Sequence, residues 1–135
     1  MKIEEQVLSR EQMAHLTELG VDTSDASMMW YCCNKNKWYL QINNELSQGV
    51  ANVMNRADLF VPTYTIGDLI EKLPKSENIG ELLIEFGNSD LGYGDWDCSE
   101  LYGINGQQNF KDKPLKDALY NLLCWVAENH KGLIN

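Results

Sequence analysis

The chain has 135 residues, 44% of them apolar and 23% charged, the make-up of one globular domain spanning 1–135 that holds its core without metal or disulfide staples. Its 20 acidic and 11 basic residues give a net charge of −9, a field that opposes a phosphate backbone or an anionic membrane; the Lys and Arg residues are scattered, so direct nucleic-acid binding is disfavoured. The charged start Met1-Lys2-Ile3-Glu4-Glu5-Gln6, and the lack of any stretch near the ~18 consecutive apolar residues of a membrane span, predict a cytoplasmic chain with no membrane partner.

Ser9, followed three residues later by Gln12, has the spacing of a capping box, with Leu8 and Met13 placed to staple the first turn. Met13, Leu16 and Leu19 share a helical face, and Gly20 supplies the left-handed residue that ends the helix. Met28 to Cys33 and Lys37 to Ile42 read as antiparallel strands joined by the polar turn Asn34-Lys35-Asn36. In the second, Trp38, Leu40 and Ile42 are expected on the buried face and Lys37, Tyr39 and Gln41 on the wetter one. Within 43–59, Leu46, Val50, Val53, Met54 and Ala57 predict a short helix that Gly49, Asn52 and Asn55 weaken.

Thr65 caps the next helix, Asp68 sits near the positive end of its dipole, Ile66, Leu69, Ile70 and Leu73 form its apolar face, and Pro74 ends it. Glu81 to Phe86 and Trp96 to Tyr102 are expected to pair as strands across a turn-rich stretch from Asn88 to Gly94. Pro114 opens the last helix, which runs to about Asn129 with Leu115, Ala118, Leu119, Leu122, Leu123, Trp125 and Val126 on one broad face. The predicted fold is α+β: an antiparallel sheet of about four strands with three or four helices packed on it.

Three segments carry a resemblance: LSREQMAHLTELGVD at 8–22, PTYTIGDLIEKLP at 62–74 and PLKDALYNLLCWVAENHKGLI at 114–134. Ser9, Glu11, Gln12, Leu19 and Gly20 match a Ser-x-Glu-Gln helix ending in Leu-Gly. Thr65, Asp68, Leu69, Leu73 and Pro74 match a Thr-x-x-Asp-Leu helix ending in Leu-Pro, and Glu128, Asn129 and Ile134 match a closing Glu-Asn-x-x-Ile, with Lys131-Gly132 additional to its shortest form. In order and spacing the chain resembles a family of small uncharacterised proteins from anaerobic gut bacteria and their phages and mobile elements. The resemblance implies a fold and a genomic setting, and no activity.

Candidate chemistry is sparse. Asp90, Asp95, Asp97 and Glu100 crowd into eleven residues, but the spacing of a calcium loop is missing; a solvated strand edge is expected, with Asp95 and Asp97 on one face and no tight metal binding. Gly92-Tyr93-Gly94 and Gly103-Ile104-Asn105-Gly106 complete no nucleotide-binding loop and read as turns. His15, flanked on its helix by Glu11 and Glu18, reads as a surface imidazole, and His130 follows the last helical turn. No nucleophile elbow is present, and nothing brings Cys98 or Cys124 to a histidine. Cys32, Cys33, Cys98 and Cys124 form no Cys-x-x-Cys and are expected to be reduced. Trp30, Tyr31, Trp38 and Tyr39 are expected in the core of the hairpin.

Tyr120 and Cys124 fall off the main stripe of the last helix, so either a neighbouring element or a second subunit covers that side. No catalytic, metal or cofactor residues are assigned. Tyr120, Cys124, Asp95 and Asp97 are the candidate partner-binding residues. The expected function is that of a non-enzymatic accessory or interaction protein of phage or mobile-element origin, acting through an unidentified protein partner, with a homo-oligomer left open. Two alternatives stand beside it: an acidic inhibitor that mimics nucleic acid, and a small metal-dependent enzyme using the acidic cluster at 90–100.

Overall fold

The computed structural model describes residues 2–34, 37–44, 49, 59–74, 81–88, 94–102, 106–112, 115–129, 132 and 134, with the backbone alone at 33–34, 81–88, 94–102 and 106–112. After a 3-10 turn at Ile3–Gln6, helix α1 (Arg10–Glu18) opens as its cap requires. Ser9 Oγ accepts the Gln12 N–H at 3.1 Å, and Gln12 Oε1 accepts the Ser9 N–H at 2.9 Å, so two otherwise orphaned donors are satisfied. The helix stops at Gly20, whose φ of 87° is left-handed. There the Val21 N–H reaches Leu16 O and the Gly20 N–H reaches Thr17 O, both at 3.0 Å, a Schellman closure whose apolar partners Leu16 and Val21 are both buried.

Strands β1 (Met28–Asn34) and β2 (Lys37–Ile42) pair antiparallel with a register shift between Cys32 and Asn34, and β3 (Phe60–Thr63) pairs antiparallel with the other side of β1. The sheet order is β2–β1–β3. Strand β3 is not among the elements read from the sequence, and the sheet tolerates Pro62 within it because β3 is an outer strand. Ile42 departs from its expected place: it is 63% exposed, at the end of β2. Of the helix expected within 43–59, positions 45–58 lie outside the described residues except Gly49, which is helical.

Helix α2 (Ile66–Lys72) repeats the capping logic, with Thr65 Oγ1 accepting the Asp68 N–H and Asp68 Oδ2 accepting the Thr65 N–H. It ends at Leu73, whose backbone is extended ahead of Pro74. Strands β4 (Glu81–Asn88), β5 (Gly94–Tyr102) and β6 (Gly106–Asp112) form a second antiparallel sheet in the order β4–β5–β6. The class is α+β as expected, but two three-stranded sheets stand where one sheet of about four strands was predicted.

Helix α3 (Leu115–Asn129) packs against β5, β6, α2 and α1. Ala118, Leu119, Leu122, Leu123, Val126 and Ala127 recur at steps of one and three, giving a stripe two residues wide that is fully buried. They meet Leu8 just ahead of α1, Met13 and Leu16 within it, Leu69 of α2 and Leu73 at its C-cap in one core. Polar ties set the approach of α3 to the N-terminal segment: Gln12 Nε2 donates to Asp117 Oδ1 at 2.8 Å and Lys116 Nζ to Val7 O at 2.9 Å. Among the described residues no helix is long and apolar enough to cross a membrane.

Candidate functional site

Two places hold polar or aromatic side chains in arrangements that secondary structure alone does not require. The first is a cleft of about 250 Å³ between the segment after α1 and helix α2, lined by Asp25, Tyr64, Asp68, Glu71 and Lys72. Lys72 follows Leu69 by three residues, on the side of α2 that turns inward, and its side chain is only 5% exposed. A buried ammonium is strongly destabilising unless it is paired. Lys72 Nζ donates to Asp22 O and to Asp25 Oδ2, both at 2.9 Å.

Tyr64, which is buried, brings its hydroxyl to 2.7 Å from Asp25 Oδ1 and 2.9 Å from Asp22 O. Burial pushes the Tyr64 phenol well above its ordinary value. The hydrogen bond to Asp25, and then the charges of Asp25, Asp22 and Asp68, add to that. Asp68, besides capping α2, accepts the Ser27 N–H at 3.0 Å and the Ser27 hydroxyl. Asp22 is held below the usual carboxylate range by the Ser24 N–H, 3.0 Å away, and the Ser24 hydroxyl. The cleft therefore fastens the Asp22–Ser27 segment to α2. Lys72, Tyr64, Asp25 and Asp68 each have a structural partner.

The second place is the β2 side of the first sheet. Tyr31 lies opposite Tyr39 on one neighbour and Phe60 on the other, and the three rings form a row across the sheet: Tyr31–Tyr39 centroids are 5.5 Å apart and Tyr31–Phe60 6.4 Å. On the opposite face Trp30 Nε1 donates to Leu8 O at 3.0 Å, and the Arg10 guanidinium lies 4.0 Å from the centre of the Trp38 ring. Tyr39 remains 44% exposed. Tyr39 and Ile42 on β2, with Ile3 near the N-terminus, are the large apolar side chains left exposed among the described residues.

The sequence-derived candidates are distributed differently. Tyr120 and Cys124 lie one turn apart on α3, and burial raises both above their ordinary values. The His15 ring of α1 meets Tyr120 edge-on at 6.4 Å, with Glu18 Oε2 3.8 Å from His15 Nδ1, so an element of the same chain lies against Tyr120. Asp95 and Asp97 are on β5, opposite Gly87 and Glu85 of β4, with Lys111 of β6 facing Asp97 across the other ladder. The expected acidic strand edge is corrected here: β5 is the central strand, because β6, whose polar run Gln107-Gln108-Asn109 gives no strand signal, pairs on its far side. Asp90, His130 and the loops at 91–93 and 103–105 lie outside the described residues. Among the described residues no group of His, Cys, Asp and Glu has the arrangement of a metal site, and Cys32 and Cys124 are free thiols.

No family model, curated protein or solved structure matches the chain. The residues that sequence reasoning missed are Asp25, Tyr64 and Lys72, and the exposure of Ile42; Tyr39 lies on the wetter face expected for it on β2, but at 44% exposed it is not in the hairpin core that was also expected to hold it. A cation on the inward side of α2, three residues after Leu69 and next to Leu73, is the one local signal that pointed to a buried pair.

Proposed function

We propose that the chain is an interaction protein that docks a protein partner on the β2 side of its first sheet. One observation carries the reading: Tyr39, 44% exposed, ends a row of rings with Tyr31 and Phe60 on one face of the sheet, and Ile42, 63% exposed, stands at the end of the same outer strand on its other face. Tyr is among the side chains most enriched at interface centres, where a rigid ring buries a large area at small entropic loss. The polar cleft has the opposite character, since its ammonium, phenol and carboxylates hold one another and the fold. The resemblance to small phage and mobile-element proteins supports an accessory role.

The test uses the full chain as bait in host extract, beside a Tyr39→Asp/Ile42→Asp variant. The expected result is a protein held by the wild type and lost by the variant at an unchanged thermal midpoint. Equal capture by both would overturn the assignment of the surface.

A further inference from the structure

The aromatic row describes a face; the backbone of β2 describes an edge. The Asn43 N–H donates to Ser27 O at 3.0 Å, continuing the ladder by which β2 bonds to β1. Antiparallel ladders alternate, so Tyr39, Gln41 and Asn43 are the positions bonded to β1, while Trp38 and Leu40 turn their N–H and C=O groups away from it. Among the described residues no strand pairs on that side. Trp38 and Leu40 thus offer two donors and two acceptors at the spacing of a further strand.

The charge at this corner selects among strands. Arg10 lies over Trp38, and Lys37 is the exposed first residue of β2; neither has an acidic partner among the described residues. Lys72 and Lys116 by contrast are engaged, with Asp25 and Asp22 O in one case and with Val7 O in the other. A guanidinium lying over a ring keeps its N–H donors in its own plane, where a carboxylate can meet them. Arg10 and Lys37 flank the same end of β2 from opposite faces, since Trp38 and Lys37 are adjacent and alternate. The chain as a whole carries −9, so this corner, with two cations that lack a carboxylate among the described residues, is set apart from the prevailing charge.

We propose that the outer edge of β2 takes up an acidic, extended segment of a partner protein by strand addition, its backbone pairing with Trp38 and Leu40 and its carboxylates meeting Arg10 and Lys37. This rests on the docking surface proposed above and names the class of partner.

The experiment titrates the ¹⁵N-labelled full chain with the capped peptide Glu-Val-Glu-Val-Glu-Val and with its Lys-for-Glu counterpart. The acidic peptide should slow exchange of the Trp38 and Leu40 amides saturably, and its binding should weaken as salt rises. An Arg10→Gln/Lys37→Gln variant should bind it about two- to thirtyfold more weakly, the effect of two solvent-facing ion pairs. Tighter binding of the basic peptide, or no change at those amides, would overturn the inference. So would self-association of the wild type that the same two substitutions abolish, which would make a second copy the occupant. If the peptides fail while Tyr39→Asp/Ile42→Asp still loses the captured protein, strand addition falls and docking through β2 stands; if that loss is also absent, both fall.

Discussion

The β2–β1–β3 sheet has two outer strands, and they meet their surroundings on different terms. Met29 is bonded to β2, so its pair with Pro62 on β3 is a non-bonded one, and the N–H that proline lacks would have pointed outward. One residue beyond β3, the Tyr64 carbonyl accepts the Leu8 N–H at 3.0 Å, and Val7 bridges to Thr65. The β3 edge is closed twice, by a residue with nothing to donate and by a crossing segment. Among the described residues the β2 edge has neither device: no proline, one charge at its first position, and two exposed apolar side chains. Among the described residues one edge is thus guarded and its counterpart is not, which marks the β2 side as the place where contact would be tolerated. The same contrast separates Lys72, held by two acceptors, from Arg10 and Lys37, which have no carboxylate partner among the described residues.

The largest effect should come from the interior that β2 does not share. Leu122→Ala removes a fully buried side chain at the centre of α3 and should cost about 2–5 kcal/mol, read from urea unfolding. Tyr39→Ser should change stability by no more than about 0.5 kcal/mol if the ring serves a partner and not the fold. A Tyr39 substitution as damaging as Leu122→Ala would erase the distinction between the two regions.

Next in size is the Lys72 pair. Asp25→Ala leaves the ammonium buried with only Asp22 O. It should cost about 1–3 kcal/mol, less than a fully buried pair because Asp25 is 54% exposed. Lys72→Met, which removes the charge and keeps the stem, should be milder. The reverse order would show that packing around Lys72 matters more than its charge. Tyr64 adds a pH signature. Its phenol is raised in the folded state, so the stability it contributes is complete below about pH 10, where the unfolded phenol titrates. Above that the unfolded chain releases the proton more readily, and stability falls as pH rises. Tyr64→Phe should flatten that alkaline decline in the thermal midpoint; an unchanged slope would remove Tyr64 as its cause.

How much of this was legible follows from the range of each interaction. Ser9 with Gln12, Thr65 with Asp68, and Gly20 beside Val21 act within five residues, and each cap and stop fell where local chemistry placed it. Most of the buried stripe of α3 was equally legible, because helical periodicity repeats through fifteen residues, although Leu115 and Trp125 are only partly buried and Ala127 joins the stripe. Strand β6 was not: Gly106–Asp112 carries one aromatic among polar residues, and only its pairing with β5 makes it a strand. That single omission turned a central strand into an expected edge and misplaced Asp95 and Asp97. Lys72 and Asp25 are 47 residues apart, and no local pattern joins them. The exposure of Ile42 was hidden for a related reason, since alternation gives the face of a strand and not where cover on that face ends.

The smallest expected effect tests the parity on which the comparison of edges rests. Pro62→Thr restores an N–H on β3. If Met29 and Pro62 form a non-bonded pair, the new N–H points outward and no ladder bond is gained or lost. The remaining change acts through the unfolded chain, which gains freedom when the ring is removed, so stability should fall by about 0.4–1 kcal/mol. The new amide should exchange rapidly with solvent, in contrast to its neighbours Val61 and Thr63, which face β1. Protection of that amide, or a gain in stability, would place position 62 in a bonded pair and reverse the alternation along β1. The outward groups on β2 would then belong to Tyr39 and Gln41, and the edge proposed to receive an acidic strand would have to be redrawn one residue along.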